Sequence, residues 1–282
     1  MVSTGGDGPA VNDWAGGAGS PVLDVSVPYP ARMYDLFLGG KDNFPADREA
    51  AGQVAAAFPT IRTAARANRA FMTRAVALLA GELGVRQFLD VGCGIPASPN
   101  LHETAQALAP DCRVVYADHD PIVMARARAL LAGTPRGRTA YLDADLRDAD
   151  WILGAPVLRE TLDLSRPVAL CLIGVLHFVA DEDDPCGIVG RLLQALPSGS
   201  YLVLSHASAD FDPSAATAAQ RCRDLGITAH TRTRAEVERM VDGLDLVDPG
   251  LVVAHRWRPD GGAAAEVSDA EVSLYAAVGH TR

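Results

Sequence analysis

Apolar residues recur at helical spacing between residues 31 and 84. Met33, Leu36 and Phe37 fall on one face of a predicted short helix, which the two glycines at 39–40 are expected to end. A second helix is predicted over residues 46–58, ending before a proline. A long third helix is predicted from the apolar positions Ile61, Ala65, Phe71, Val76, Leu79 and Leu83.

From residue 87 onward, short apolar runs of strand length alternate with helical patterns. This alternation is typical of a parallel β-sheet with helices on both faces. Pro110 is expected to end one of these helices, and Pro121 suits the first turn of the next. The predicted parallel strands cover residues 88–91, 113–118, 139–143, 168–175 and 201–204.

The end of the chain departs from this alternation. Two strand-like runs, 246–254 and 272–278, are joined by a loop rich in Gly and Ala that is centred on Gly261-Gly262. No crossover helix fits in that loop, so the two runs are predicted to form an antiparallel hairpin. An ordinary dinucleotide-binding domain differs, because its second half is again parallel.

The chain is therefore predicted to have three parts. Residues 1–30 are rich in Gly, Ala, Ser and Pro without an apolar period, which predicts a flexible tail. Residues 31–84 form a helical lid segment, and residues 85–282 form the core domain. The predicted fold class is α/β and Rossmann-like, with a mostly parallel seven-stranded sheet, a C-terminal antiparallel hairpin and the N-terminal helical lid.

The composition narrows the functional classes. Of 282 residues, 49% are apolar and 21% are charged, as in ordinary soluble globular proteins. The formal net charge of -10 argues against nucleic acid as the main partner. The longest apolar run, residues 168–180, is too short to span a bilayer, and no secretory leader precedes Arg32. We therefore expect a soluble, cytoplasmic protein without a membrane partner.

The cysteines indicate neither a disulfide framework nor a structural zinc site. Their number is odd, and no two of them show Cys-x-x-Cys spacing. Reduced thiols and no bound metal are expected. The five cysteines are Cys93, Cys112, Cys171, Cys186 and Cys222.

The densest chemical motif is the run Asp90-Val-Gly92-Cys-Gly94-Ile-Pro96, where the first strand is predicted to pass into a helix. Glycines there let the backbone approach a ligand, and amides at a helix N-terminus can bind an anionic group. Ala97 also completes the Gly-x-Gly-x-x-Ala spacing of a nucleotide-binding loop. Taken alone, the motif is also compatible with a tight strand-to-helix turn, although a ligand-binding loop is favoured.

Two acidic residues at the ends of the next strands favour a cofactor site. Asp118 ends the second strand, where a carboxylate can accept both hydroxyls of a ribose. Asp145 follows the third strand, where it can accept from an adenine amino group or cap a helix. Ligands of open α/β sheets bind at the carboxyl ends of the strands, so Asp90, Asp118 and Asp145 are expected to surround one ligand.

This ordered series resembles the motifs of class I methyltransferases, which use S-adenosylmethionine. It comprises Asp90-x-Gly92-x-Gly94, Asp118, Asp145-Leu146 and the run Leu172-Ile-Gly-Val-Leu-His177-Phe. One departure is Pro96, which stands where the general motif has a third Gly and removes one amide donor. Three stretches also resemble a bacterial family of S-adenosylmethionine methyltransferases long catalogued as a domain of unknown function, namely residues 32–44, 65–71 and 180–185.

The resemblance implies a role for each motif residue. Asp90 would lie near the methionine amino group, and Asp118 would hold the ribose with His119 beside the adenine. Asp145 and Leu146 would fix the adenine. The remaining positions, which would line the cofactor with backbone or lie beneath its sulfonium, are Gly92, Cys93, Gly94 and Gly174.

The helical lid adds candidates for binding the cofactor. Lys41 follows two glycines and is expected to reach back over the cofactor carboxylate. Arg69, beside Asn68, is a candidate to capture the same carboxylate. Tyr34 and Asn43 are further polar groups in this otherwise apolar segment and are included in the predicted site.

Methyl transfer needs chiefly alignment and a dry site, with a general base only when the acceptor loses a proton. His177, just after the fourth strand, is the first candidate base, and His206, after the fifth, is the second. The acidic run 181–184 is expected to cap the next helix rather than to bind a cationic acceptor.

Three functions are compatible with these residues. The first is S-adenosylmethionine-dependent methyl transfer to an unidentified small-molecule acceptor. The second is binding of the same cofactor without catalysis. The third is an NAD(P)-dependent oxidoreductase that uses the Gly92-x-Gly94 turn, which the C-terminal hairpin and Asp145 speak against.

Overall fold

The computed structural model describes residues 24–259 and 267–282, and its centre is a twisted sheet. The strand order is β3-β2-β1-β4-β5-β8-β6, with β7 pairing to β8. Strands β1 to β5 are parallel to one another, and β8 runs antiparallel to β5. The strands are β1 (Gln87–Val91), β2 (Arg113–Asp118), β3 (Arg138–Asp143), β4 (Ala169–Ile173), β5 (Tyr201–Ala207), β6 (Asp245–Leu246), β7 (Val252–Val253) and β8 (Leu274–His280).

The C-terminal antiparallel arrangement is confirmed, with one difference in the first of its two runs. Residues 246–254 do not form one strand but split into β6 and β7, both paired to β8. Pro249 lies between them and has no amide hydrogen to donate, and Gly250 has a φ of +80°, so the chain turns there. The loop around Gly261-Gly262 lies outside the described residues.

Helices cover both faces of the sheet. The connection between β3 and β4 contains two short helices, α6 and α7, which the sequence analysis did not predict. The helices are α1 (Pro30–Leu38), α2 (Pro45–Ala57), α3 (Ile61–Ala77), α4 (Leu101–Leu108), α5 (Pro121–Leu130), α6 (Ala149–Gly154), α7 (Pro156–Thr161), α8 (Pro185–Gln194), α9 (Ser214–Asp224), α10 (Arg234–Met240) and α11 (Asp269–Val272).

Alternate residues of the central strands point to opposite faces and so build two apolar layers. In β2, Val114 belongs to the apolar cluster that includes residues of α1 to α5, whereas its neighbour Val115 belongs to the cluster that includes residues of α6, α7, α8 and α10. The helices α1 to α3 therefore share the first layer with the sheet. No helix within residues 24–259 and 267–282 has the length and apolar character needed to cross a membrane.

A buried arginine connects the N-terminal helices to the sheet. Arg32 of α1 is 2% exposed, and its Nε lies 3.5 Å from Asp47 of α2 and 3.8 Å from Asp120, the residue before α5. Its guanidinium also donates to the carbonyl of Val27 at 3.0 Å and lies over the ring of Tyr29. This contact holds α1 against the loop that follows β2.

Candidate functional site

The glycine-rich loop after β1 is shaped by close approach of the backbone. Gly92 has a φ of +77°, and a Cβ atom there would lie 2.3 Å from Cγ2 of Val175. Any other residue would therefore clash as well as strain the chain. The loop extends from residue 92 to 100, and α4 begins only at Leu101. The amide of Gly94 in this loop, rather than the N-terminus of α4, donates to the strand-end carboxyl of Asp118.

Asp118 is held in place by the same loop. Its Oδ2 accepts a hydrogen bond from the amide of Gly94 at 3.0 Å, and its Oδ1 accepts from the amide of Asp120 at 3.0 Å. The side chain is nearly buried, and this burial raises the pKa of its carboxyl, while the two amides act in the opposite direction. The carboxyl group is thus oriented before any ligand binds.

A cavity in two connected parts lies along these strand ends. One part, of about 130 Å³, extends from the glycine loop to α3, and the other, of about 240 Å³, extends along the ends of β2 and β3. Gly92, Asp118, His119 and Val175 line both parts. The structure brings together at this cavity the predicted residues Tyr34, Arg69, Asp90, Gly92, Cys93, Gly94, Asp118, His119, Asp145, Leu146 and Gly174.

The carboxyl group of Asp90 lies in the first part of the cavity. Burial raises its pKa to about 7, the nearby Arg69 lowers it, and Asp118 raises it further. A carboxyl group with this pKa exists in both protonation states near neutral pH. A cationic group in the cavity would stabilise its ionised form.

Asp145 is tied to a neighbouring arginine. Both of its oxygens accept hydrogen bonds from the guanidinium of Arg147, and these bonds lower the pKa of the carboxyl. It does not cap the next helix, because Asp148 does so by accepting from the amide of Trp151 at 3.0 Å. Asp145 therefore remains a charged wall of the cavity beside Leu146.

Two residues of the predicted lid site lie elsewhere. The side chain of Asn43 is buried and donates to Asp35 Oδ2 at 2.9 Å, so it supports the turn between α1 and α2. Lys41 is exposed and is not part of the cavity lining. Arg69 does line the cavity, and its guanidinium donates to the carbonyls of Ala97 and Pro99, which fixes the glycine-rich loop.

The sequence analysis missed cavity residues just before α1. Tyr29 and Pro30 line both parts of the cavity, and the ring of Tyr29 lies 5.5 Å from that of His119. Burial is the main cause that raises the pKa of Tyr29, and the negative charges of Asp120 and Asp118 raise it further. The last residues of the predicted tail are thus part of the site. The aromatic residue next to a helix-starting proline was the available signal.

The two candidate bases differ in their surroundings. Both ring nitrogens of His206 have hydrogen-bond partners, because Arg232 lies 2.8 Å from its Nε2 and the carbonyl of Ala207 lies 2.8 Å from its Nδ1. His177 lines a neighbouring apolar cavity. Burial lowers the pKa of its imidazole to about 3, with smaller contributions in the same direction from His206 and Arg232. Both imidazoles are neutral at physiological pH, and His177 is the one that faces open space.

The acidic run after β4 has the structural role that was expected. Asp184 caps α8 by accepting from the amide of Gly187 at 3.0 Å. Asp181 pairs with the buried Arg232, whose hydrogen bond lowers the pKa of that carboxyl. Within the described ranges, no three His, Cys, Asp or Glu side chains are grouped so as to hold a metal ion.

A mostly parallel sheet that ends in an antiparallel pair, with acidic strand ends around a glycine turn, defines the class I methyltransferases. The sequence profile of a family described as S-adenosyl methyltransferase matches residues 17–282. The chain belongs to this family. It is therefore an S-adenosylmethionine-dependent methyltransferase, and the oxidoreductase alternative is wrong.

Two solved structures are similar over nearly the whole chain. A DUF574 family protein from Streptomyces avermitilis is 50% identical, with a TM-score of 0.90, and the match covers 92% of this chain and 100% of that one. A candidate methyltransferase from Thermobifida fusca is 40% identical, with a TM-score of 0.85, covering 93% of this chain and 98% of that one. None of the curated proteins matches the chain.

The residues around the cavity fit S-adenosylmethionine. The fixed carboxyl of Asp118 suits a ribose diol, and the carboxyl of Asp90 suits an ammonium group. Tyr29 and Leu146 supply aromatic and apolar surface for a base. Gly94 has a φ of +67°, and beyond its chain neighbours no atom of the described residues lies within 4 Å of where a Cβ would stand, so its backbone borders open space.

Proposed function

We propose that this protein transfers the methyl group of S-adenosylmethionine to a small-molecule acceptor, with the cofactor lying along the ends of β1, β2 and β3. The observation that carries this proposal is one continuous cavity in which Asp90, Asp118 and Asp145 occur in the order of the strands. Helices α1 and α3 cover it, which leaves space for a compact acceptor rather than an open groove for a polymer.

The residues of the sheet edge orient the cofactor. Asp118 accepts the two ribose hydroxyls with the oxygens that the Gly94 and Asp120 amides already hold. Asp90 accepts the α-ammonium group, and Asp145 accepts the adenine amino group with its remaining lone pairs. Further contacts to the adenine and methionine parts come from Tyr29, Tyr34, Gly92, Cys93, His119, Leu146 and Gly174.

Arg69 and the lid exclude water from the reacting centre. Arg69 fixes the loop through the carbonyls of Ala97 and Pro99 and places a positive charge near the cofactor carboxylate. When bound, S-adenosylmethionine supplies a methyl carbon activated by its sulfonium group. The protein contributes alignment and a dry environment, which are the main requirements of such a transfer.

Methyl transfer is tested by incubating the purified protein with methyl-labelled S-adenosylmethionine and pools of small molecules. We expect S-adenosylhomocysteine to accumulate, and a labelled product to appear, in specific pools. The Asp118→Ala variant should give neither. Binding of the cofactor without a labelled product from any pool would identify a non-catalytic cofactor-binding protein instead.

Cofactor affinity should fall as the pH is lowered below about 7. The carboxyl group of Asp90 has a pKa of about 7 in the free protein, and only its ionised form pairs with the ammonium group. Below that pH a proton must leave before the cofactor binds, so the dissociation constant should rise by up to about tenfold per pH unit.

This pH dependence is measured by calorimetric titration with S-adenosylhomocysteine between about pH 5.5 and 8.5, which spans the pKa of Asp90. The Asp90→Asn variant is the control, because it cannot ionise at this position. It should bind more weakly at high pH and lose the slope below pH 7. The same slope in both proteins would show that another group titrates and that Asp90 does not bind the ammonium group.

A further inference from the structure

A second cavity, of about 140 Å³, lies beside the proposed cofactor site. It shares Pro30, Tyr34, Asn68 and Phe178 with the first part of the cofactor cavity, so the two spaces are adjacent. Helices α1, α2 and α3 form one side of it, and α9 with the loop after it forms the other. The apolar walls include Met33, Phe37, Val54, Phe58, Ala218 and Ile227.

Two polar residues, Asn68 and Tyr34, lie where this cavity meets the cofactor site, whereas His230, Thr231 and Ser273 line this cavity alone. Asn68 accepts a hydrogen bond from Ser205 Oγ at 2.6 Å and donates to the hydroxyl of Tyr34 at 3.2 Å. These bonds fix the Asn68 amide at the boundary between the two spaces. The ring of His177 lies close by, with its Cε1 3.8 Å from the position of a Cβ on Gly174.

The lining of this cavity is mostly apolar, and the two histidines in it are His177 and His230. Within the described part of the chain, no Asp, Glu, Lys or Arg side chain lines it. His177 is uncharged at neutral pH because its pKa lies far below its usual value. Burial of an ionised molecule in such surroundings without a charged partner carries a large desolvation penalty. The walls therefore select against acceptors that carry a charge.

The volume limits the size of the acceptor. A dry, apolar cavity of about 150 Å³ in another protein accommodates one benzene molecule. The space beside the cofactor site has nearly this volume, 140 Å³, and adjoins the cofactor cavity at one end. It therefore fits one ring with a short substituent, directed toward Gly174 and His177.

We propose that this cavity binds the methyl acceptor, and that the acceptor is an uncharged, ring-sized apolar molecule whose single hydroxyl or amino group donates a hydrogen bond to His177. This inference rests on the proposed function and specifies its substrate class. The cavity recognises the ring by shape and apolar contact, and His177 orients the nucleophilic atom toward the cofactor side.

The transfer itself balances without a further reactant. The acceptor oxygen or nitrogen forms the bond to the methyl carbon, and the carbon–sulfur bond breaks with its electron pair remaining on sulfur. The acceptor loses its O–H or N–H proton through the neutral imidazole of His177 to solvent. The sulfonium charge disappears in the same step, so the cavity is left with neutral products.

Binding is tested directly by saturation-transfer NMR on the full chain saturated with S-adenosylhomocysteine. The probes are phenol, aniline, toluene, benzoate and benzylammonium. We expect signals from the three neutral rings and none from the two charged ones at equal concentration. Charged probes that bind as well as phenol would overturn the proposal, as would the absence of binding by every neutral ring.

A variant that fills the cavity localises the probe. Ala218, on the cavity side of α9, is changed to Phe, and Thr217, which is exposed on the same helix, is changed to Phe as the control. Ala218→Phe should weaken phenol binding by at least about tenfold, whereas Thr217→Phe should leave it unchanged. If Ala218→Phe does not fold, Ala218→Leu makes the same test with a smaller side chain.

The His177→Phe variant separates the hydrogen bond from packing, because it keeps an aromatic ring and removes both nitrogens. Phenol should then bind about tenfold more weakly, near the affinity of toluene, and toluene itself should be unaffected. Equal losses for both probes would show that His177 only packs. Titration with S-adenosylhomocysteine accompanies each experiment, because its failure would refute the proposed function, whereas intact cofactor binding without phenol binding refutes only this inference.

Discussion

Replacement of Asp118 by Ala is expected to weaken S-adenosylmethionine binding by at least about a hundredfold. The carboxylate would lose two charge-assisted hydrogen bonds to the ribose, each worth about 1.5–3 kcal/mol. Its position is set in advance by the amides of Gly94 and Asp120, so no other side chain can replace it without moving the loop. Calorimetric titration with S-adenosylmethionine and S-adenosylhomocysteine measures the effect.

The matched control is Asp143→Ala. Asp143 ends the neighbouring strand in register with Asp118, but its carboxyl is exposed, pairs with Arg128 and does not line the cavity. This variant should bind both ligands as the wild type does. Equal losses in the two variants, or wild-type affinity in Asp118→Ala, would contradict the proposed ribose site.

The Arg32→Met variant should destabilise the protein by about 3–5 kcal/mol. Removal of one partner from a buried ion pair leaves the other charge without compensation, and here two carboxylates, Asp47 and Asp120, face the guanidinium. Oδ2 of Asp120 has no hydrogen-bond partner among the described residues, so it depends on this charge. Chemical denaturation monitored by circular dichroism measures the loss.

Arg126→Met provides the comparison on the surface. Arg126 of α5 also bridges to the N-terminal segment, 2.6 Å from Asp42, but both side chains are partly exposed. Surface ion pairs of this kind contribute about 0–1 kcal/mol. A loss below about 1 kcal/mol in Arg32→Met, similar to that in Arg126→Met, would show that the buried pair does not hold α1 to the sheet.

Much of the sheet could be predicted because its central strands are buried on both faces and bounded by turn residues. The strand-end acids were predictable for a related reason, since parallel strands bring their carboxyl ends to one edge. The helices α6 and α7 were not predicted, because each has only six residues and too short an apolar repeat to detect. The split between β6 and β7 depends on one proline and one glycine inside an otherwise strand-like run.

The lid residues show where sequence patterns cease to be informative. Asn43 and Lys41 are both polar residues next to apolar helices, but one is buried against Asp35 and the other is exposed. Nothing in their spacing distinguishes these outcomes. The role of Arg69 depends on two carbonyls 28 and 30 residues away, at Ala97 and Pro99, which only the tertiary structure brings near.

The apolar acceptor cavity was also beyond prediction. Its walls come from α1, α2, α3 and α9, which are distant in sequence, and their inward residues show the same pattern as ordinary core positions. A core position and a cavity wall differ only in what lies opposite. His177 gave the one sequence signal, since a histidine directly after a central strand lies at the same edge as the cofactor acids.

The central claim is the position of the cofactor, and a crystal structure of the complex with S-adenosylhomocysteine tests it most directly. We expect the ribose hydroxyls on Asp118, the adenine between Tyr29 and Leu146 beside Asp145, and the amino group on Asp90. The sulfur should face Gly174 and the apolar cavity that contains His177. A ligand bound elsewhere, or one in this cavity without a contact to Asp118, would contradict the account.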